Sequence, residues 1–354
     1  MSENAHLLRY PYPSSLRRMS VAQGTGRRAQ GNYNCFFSLR LEPCALSPWH
    51  TPHSSGFRPA IGPAGMDIFH QPLRIRFFDS LYGVMITKLK DILDLLEEIA
   101  PSHTAEDWDN PGLQIGAHSQ EVSKVFFALD PTLRAVKNAA KEKAQLVLTH
   151  HPLIFQPLSR INWEVYPGSV IFEAFKNGIS IVAAHTNLDV TQGGINDMLV
   201  QLFQLKDAEV LQTMEGVTDP VVGLGRIGNV KKPMSLSAMI ERVQTVLGAR
   251  GIRVIGSKKL KIKRVALVGG SGGSMVPKAS ERGADLLITG DVGHHDALEA
   301  HARGLAVIDA GHFYTEKAAL ALFASRFKGL LEERGWEVDV AIYQDEKNPL
   351  QYVS

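Results

Sequence analysis

The stretch LVLTHHPLIF, residues 146–155, sets two imidazoles, His150 and His151, directly behind a short apolar run and directly before a proline. Three other apolar runs end in similar fashion. SIVAA leads into His185 and, four residues on, Asp189. ADLLITGD leads into Asp291, with His294 and His295 close behind. LAVIDAGH ends at His312, with Glu316 four residues later. Most of the nine histidines of residues 85–354 fall at these four places. In doubly wound sheets ligands bind beyond the carboxyl ends of the strands, so a parallel sheet would gather all four sets of groups into one crevice. Taken singly, each histidine reads as a hydrogen-bonded loop residue, and Asp189 or Asp291 as a turn or helix cap. Their convergence is what points to chemistry.

The donor set is imidazole and carboxylate, which suits two divalent ions such as Zn, Mn, Fe or Ni. Both cysteines, Cys35 and Cys44, lie upstream, so no thiolate is available in residues 85–354. His150, His151, Asp189, His312 and Glu316 make five candidate metal ligands, more than the three that a single open catalytic zinc uses. A carboxylate-bridged pair of metals about 3.5–4 Å apart uses them better. Adjacent residues at a strand end point in different directions, so His150 and His151 can each serve a separate ion. His312 and Glu316, four apart at the start of a long helical pattern, face one side of that helix. The competing reading there is that Thr315 caps the helix and Glu316 only complements its dipole.

Positioning these groups requires strands that alternate with helices. TKLKDILDLLEEIAP reads as an amphipathic helix stopped by Pro101. KVFFALD is a strand, PTLRAVKNAAKEK a helix, AQLVLT a strand, SVIFEAFKNG a helix and SIVAA a strand. GINDMLVQLFQL is a helix, VVGLGRIG a strand, SLSAMIERVQTVLG a helix and KRVALVGG a strand. SMVPKASERG, ADLLITGD, HHDALEAHARG, LAVIDAGH and TEKAALALFASRFKGLLEERG continue the alternation, and WEVDVAIY is a final strand. The pattern predicts an α/β fold of two similar α/β halves with mixed, mostly parallel sheets covered on both faces. The expected organisation is a first half over 85–205, a connecting region over 206–259 and a second half over 260–354. GGSGGS (269–274) could cradle phosphate between strand and helix or be a plain tight turn. It lacks the Lys-Ser/Thr of a Walker A sequence. EDWDNPGLQIG (106–116) reads as a surface loop with an anchored Trp108, the alternative being a site lining in which Trp108 stacks on a base, and SKKLKIKR (257–264) as a solvated strand edge, the alternative being an anion site.

Residues 1–84 differ in kind. They hold nine Arg, no Lys and four acids, a net of +5, which leaves 29 basic and 32 acidic groups for the other 270 residues. They show no sustained period and are punctuated by Pro, Gly and Ser. Disorder is the expectation, with a cleaved organelle-targeting peptide or translation from an upstream start codon as further readings, since Met85 opens a natural-looking start. No run of 18 apolar residues predicts a transmembrane helix. The near-neutral total of +2 gives no global argument for nucleic acid or membrane. A cytoplasmic protein is expected.

In chain order, EDWDNPGLQIG, LTHHP, AAHTNLD, GGINDML, GGSGGS, ITGD and GHFYTE resemble the Nif-three-like dinuclear metal-centre proteins, the GTP cyclohydrolase 1 type 2 homologs, in their short form. The resemblance covers residues 85–354. It implies the Nif-three-like fold and a homohexamer with sites facing an internal cavity. It also implies two metals held at His150, His151, Asp189, His312 and Glu316. His185, Asp291 and His295 match nearby positions and are candidates to support the ligands or touch substrate. The implied activity is hydrolytic opening of the purine ring of GTP, for which a metal pair supplies hydroxide near neutral pH. Glu316 or His295 is then the candidate catalytic proton carrier. The rival readings are a metal-dependent hydrolase of another phosphoester or cyclic amide, and a non-catalytic protein that binds metal or a partner.

Overall fold

The computed structural model describes residues 86–214 and 222–351. The extension 1–84, with the expectations drawn for it, lies outside the described residues. In chain order the elements are α1 (Leu89–Ile99), β1 (Gly112–Ile115), β2 (Lys124–Ala128), α2 (Leu133–Lys141), β3 (Leu146–Thr149), α3 (Gly168–Lys176) and β4 (Ser180–Ala183). There follow α4 (Thr186–Val190), α5 (Ile195–Phe203), β5 (Lys206–Thr213), β6 (Gly223–Ser235), α6 (Leu236–Leu247), β7 (Arg253–Ile255) and β8 (Lys261–Ser271). The series closes with α7 (Val276–Glu281), β9 (Leu286–Gly290), α8 (His294–Ala302), β10 (Ala306–Asp309), α9 (His312–Glu333) and β11 (Asp339–Ile342).

The strands form two mixed sheets. The first has the order β1-β4-β3-β2-β11, parallel except for β1 against β4. The second has the order β5-β6-β8-β9-β10-β7, with a parallel centre of β8, β9 and β10 and antiparallel flanks. Alternate residues of each strand face opposite layers, as the two-residue repeat of a strand requires. In β2, Val125 and Phe127 face the central layer of α1, α5, α6 and α9, while Phe126 and Ala128 face α2 and α3. In β8, Val265 and Leu267 face the same central layer, while Ala266 and Val268 face α7 and α8. Both sheets are thus covered on both sides, which explains the unbroken apolar runs LVLT and LLITG. Phe127, Phe323 and Phe327 stack edge-on at the centre, tying α9 to β2.

Residues 206–259, read from the sequence as a connecting region, place β5, β6 and β7 in the second sheet. Residues 339–342, read as part of the second half, pair with β2 in the first. The reason is an open edge. After α9 the chain returns beside β2, whose backbone groups on that side have no other strand to bond. Strands β1, β5 and β7 and the short α4 have no counterpart in the pattern read from sequence. They are edge or connecting pieces with partly exposed, polar-interrupted stretches.

Candidate metal centre

The carboxyl ends of β3, β4, β9 and β10 and the start of α9 meet between the two sheets. His150 and His151 follow β3, and their backbone amides bond to Ala128 O (3.3 Å) and Leu129 O (3.0 Å), which extends the β2–β3 ladder into the site. Asp189 sits in α4, just past β4. His312 opens α9 behind Gly311, whose φ of +87° supplies the sharp turn out of β10. Thr315 is not the cap; it lies in the first turn, donates to His312 O (2.8 Å) and accepts from Gly270 N (3.0 Å).

Four imidazoles share one arrangement. Nδ1 of His150 donates to Ala184 O (2.8 Å), that of His151 to Asp130 Oδ1 (2.7 Å), that of His185 to Asp109 Oδ1 (2.7 Å) and that of His312 to Asp291 Oδ2 (2.7 Å). In the neutral ring a proton fixed on Nδ1 leaves the Nε2 lone pair for a ligand bond, and an oxygen partner on the far nitrogen is the usual support of a metal-bound histidine. The Nε2 atoms of His150, His151 and His312 converge on Glu316. His151 Nε2 stands 3.1 Å and His312 Nε2 3.0 Å from its Oε2, and His150 Nε2 is 3.5 Å from its Oε1 and 3.5 Å from Asp189 Oδ1. Glu316 is 3% exposed and His150 0%. Despite these approaches, His150 Nε2, Asp189 Oδ1 and Glu316 Oε2 have no hydrogen-bond partner. Orphaned buried polar atoms are costly, and cations bound in the cluster would satisfy them. Two overlapping groups have the spacing for an ion, His150 with His151 and His185, and His151 with His312 and Glu316.

The side chains of the cluster shift one another's protonation strongly. Burial opposes the charged form of His151, but Asp130 and Glu316 outweigh it and lift its pKa to about 10. His312, with burial against it and Glu316 and Asp291 for it, rises to about 9. His150 is likewise raised against its own burial by Asp189 and Glu316. Burial pushes the Asp189 carboxyl up to about 7, with Glu316 adding to the rise and His150 opposing it. Burial also acts to raise Glu316, but the surrounding imidazoles pull it well below the usual carboxylate range.

All five residues read from sequence as ligands, His150, His151, Asp189, His312 and Glu316, lie in this cluster. His185 stands in it as closely, its ring 5.3 Å from that of His150 and 5.4 Å from that of His151. Asp291 supports His312. His295 is apart: it is exposed on the first turn of α8 and its ring faces His294 at 5.6 Å. Asp109 and Asp130 were not singled out in the sequence. Asp130 carries the signal that the histidines carry, a polar residue directly after an apolar strand. Asp109 lies within EDWDNPGLQIG, which is no detached loop: Gly112–Ile115 forms β1, and Trp108 packs 6.0 Å from His185 at the rim of the site.

GGSGGS serves the centre differently from a phosphate cradle. The amides of Gly269, Gly270 and Gly272 are taken by Asn196 Oδ1, Thr315 Oγ1 and Gly290 O. Gly270, at φ +66°, lies so close that a Cβ there would collide with Glu316 Oε1 and reach 3.4 Å from His312 Nε2. Gly270→Ala is therefore expected to lower stability by about 1–3 kcal/mol through backbone strain and to reduce metal content as Glu316 is displaced. Thermal unfolding and elemental analysis of the purified variant check both effects.

Comparison with known proteins places the chain among relatives. The profile of the DUF34/NIF3 family (NGG1p interacting factor 3) matches residues 87–349. The chain is 34% identical over 266 residues to the GTP cyclohydrolase 1 type 2 homolog of Clostridium perfringens, covering 75% of this chain and 100% of that protein. It is 36% identical over 267 residues to the protein of the same name from Lactococcus lactis, covering 74% and 98%. Among solved structures, a hypothetical protein of Staphylococcus aureus superposes with a TM-score of 0.71 at 31% identity, covering 75% of this chain and 99% of that one.

Proposed function

The chain belongs to the DUF34/NIF3 family, and from that premise we propose that it is a dinuclear metal-dependent hydrolase of the GTP cyclohydrolase 1 type 2 kind, which opens the ring of a purine nucleotide. The observation that carries this reading is the set of four imidazoles whose Nδ1 atoms are tied to oxygen, three of which, His150, His151 and His312, turn their Nε2 atoms to the buried Glu316. His150, His151, Asp189, His312 and Glu316 would hold two divalent ions. When bound, such a pair supplies an activated water near neutral pH. The relatives' names are the support for a nucleotide substrate.

The chain's own groups divide the remaining work. Beside the cluster, a pocket of about 480 Å³ is walled by His151 and His312 together with Leu129, Phe313, Leu350 and Arg253. Apolar walls suit a flat base; the Arg253 guanidinium is paired with Asp309, and Asp130 and Asp291 set further carboxylates on the same wall. His185 replaces His295 as the proton carrier in this reading. It stands within the cluster, burial holds its pKa below the ordinary value, and Asp109 fixes its tautomer. His295, exposed on α8, has no such setting.

A cytoplasmic homohexamer completes the proposal. No described helix is long and apolar enough to cross a membrane. An exposed aromatic patch around α3 supports self-association: Phe175 is 81% exposed, Trp163 66% and Tyr166 62%, and Trp163 packs on Phe172. Patches of this kind mark interaction surfaces. The variant Trp163→Glu with Phe175→Glu is expected to sediment as a smaller species than the wild type in analytical ultracentrifugation; an unchanged mass would remove this face from the assembly.

The activity is tested by incubating metal-loaded protein with GTP and following ring opening by absorbance and mass spectrometry. Turnover that falls to background in His151→Ala supports the cyclohydrolase reading. Two metals per chain with no turnover of GTP, of phosphoesters or of cyclic amides would replace it with a binding role.

A further inference from the structure

The chain beyond β11 does more than close the fold. Tyr343 N bonds to Phe127 O (2.8 Å), the last rung between β2 and the C-terminal segment. One turn of chain later, Glu346 takes over as a side chain. Its carboxylate accepts from Leu129 N (3.1 Å to Oε1, 2.9 Å to Oε2) and from Asp130 N (2.9 Å to Oε1). Its own carbonyl is held by Lys317 Nζ at 2.7 Å, the residue directly after Glu316 on α9. Leu129 is thereby gripped from both sides: its amide by Glu346 and its carbonyl by the amide of His151. Asp130, whose amide is also fixed by Glu346, is the residue whose side chain holds Nδ1 of His151. Both the backbone and the side-chain support of His151 therefore rest on two peptide groups that Glu346 clamps. The segment that follows, Asn348 to Leu350, walls the pocket that His151 and His312 face.

We propose that Glu346 is a positioning residue for the metal ligand His151, acting through the Leu129–Asp130 turn, so that the C-terminal segment both shapes the pocket and sets the geometry of one ligand. The carboxylate is needed because two amides point at one place beyond the end of the β2–β11 pairing, and a carboxylate offers two acceptor oxygens to meet them. A residue that orients a ligand from outside the coordination sphere commonly changes metal affinity by about 10–100-fold.

The proposal rests on the metal reading, and the experiment separates the two. Elemental analysis of wild-type chain loaded in turn with zinc, manganese, iron and nickel comes first: no bound metal of any of these would defeat the metal reading itself, and zinc is the probe where it binds. With the wild type loaded, zinc affinity is measured by competition with a chromophoric chelator for Glu346→Ala, Glu346→Gln, Asp130→Asn and the two double variants. The expected result is an affinity about 10–100-fold weaker in Glu346→Ala, a smaller loss in Glu346→Gln, which keeps one acceptor oxygen, and little further loss when either is added to Asp130→Asn, because coupled residues are not additive. The Nδ1 proton resonance of His151 is expected to shift in Glu346→Ala and Glu346→Gln. Wild-type affinity in both Glu346 variants, or a loss that adds in full to that of Asp130→Asn, would overturn the proposal; should the alanine variant not fold, the glutamine cycle decides alone.

Discussion

A Glu316→Gln chain is expected to bind metal more than about 100-fold more weakly than the wild type, beyond the range that outer partners command. Glutamine keeps the size and one acceptor oxygen but removes the charge that three imidazoles surround. Oε2 of Glu316 lies about equally far from His151 and His312, at 3.1 and 3.0 Å, and Oε1 is the atom nearest His150. One carboxylate therefore faces three of the candidate ligands, His150, His151 and His312. The same substitution affects the metal-free fold. Removing one member of a buried charge set costs about 3–5 kcal/mol where the partners stay charged, and less where the imidazoles can shed their protons. The cost is thus expected to be largest in mildly acidic solution and to shrink as pH rises through the raised pKa values of His312 and His151, about 9 and about 10. Urea unfolding with excess chelator at pH 6 and pH 9 measures it. Wild-type metal content in this variant would show that Glu316 is not a ligand.

Why was this residue legible before any coordinates, when its supports were not? His150, His151, His312 and Glu316 stand immediately after buried strands or one helical turn further on. Apolar runs such as LVLT and AVID announce where a strand ends, and a fully covered sheet leaves its carboxyl edge as the place for polar groups. Asp189 was legible for the same reason, although the helix α4 that carries it was not. The supports obey long-range rules. Asp109 meets His185 across 76 positions and Glu346 meets Asp130 across 216, and neither spacing has any local signature. His185 could be placed near the site, but its distance to His150 and His151 depends on the turn into α4. His295 looked equivalent to the other strand-end histidines, yet the chain between β9 and α8 carries it outward while Asp291 alone turns back towards His312.

The fold shows the same division. The alternation of strand and helix follows from patterns within about ten residues. The pairing of β11 with β2 does not, because a parallel partner is chosen by which edge is open when α9 ends. Edge strands β5 and β7 were hidden by composition: KDAEVLQT is mostly exposed and reads as loop. What the sequence could not express is therefore contact order, and what it could express is burial. The metal ligands belong to the second class and their orientation to the first, which is why a ligand set can be inferred more readily than an affinity.

Metal affinity is expected to climb by about two orders of magnitude per pH unit between pH 7 and pH 9, flattening above, as each bound proton displaced contributes about one unit of slope. The sign follows from the shifts. His151 and His312, at about 10 and about 9, are protonated at pH 7 in the metal-free protein and must lose those protons to become ligands. Asp189, at about 7, adds a fraction of a proton near neutrality. Stability of the metal-free fold runs the other way. Raised imidazole values mean that their ion pairs stabilise the fold fully below the ordinary histidine value near 6.5 and that this contribution is lost as pH rises through about 9 and 10. The lowered Glu316 contributes stability that is present above the ordinary glutamate value and is lost only in strong acid, as pH falls through its depressed one. Alkaline solution should therefore weaken the chain without metal and strengthen it with metal. Chelator competition across pH 6–10, alongside thermal unfolding with and without zinc, tests this opposition. Parallel pH profiles for the two forms would mean that the protons held by His151 and His312 are not those that a metal replaces.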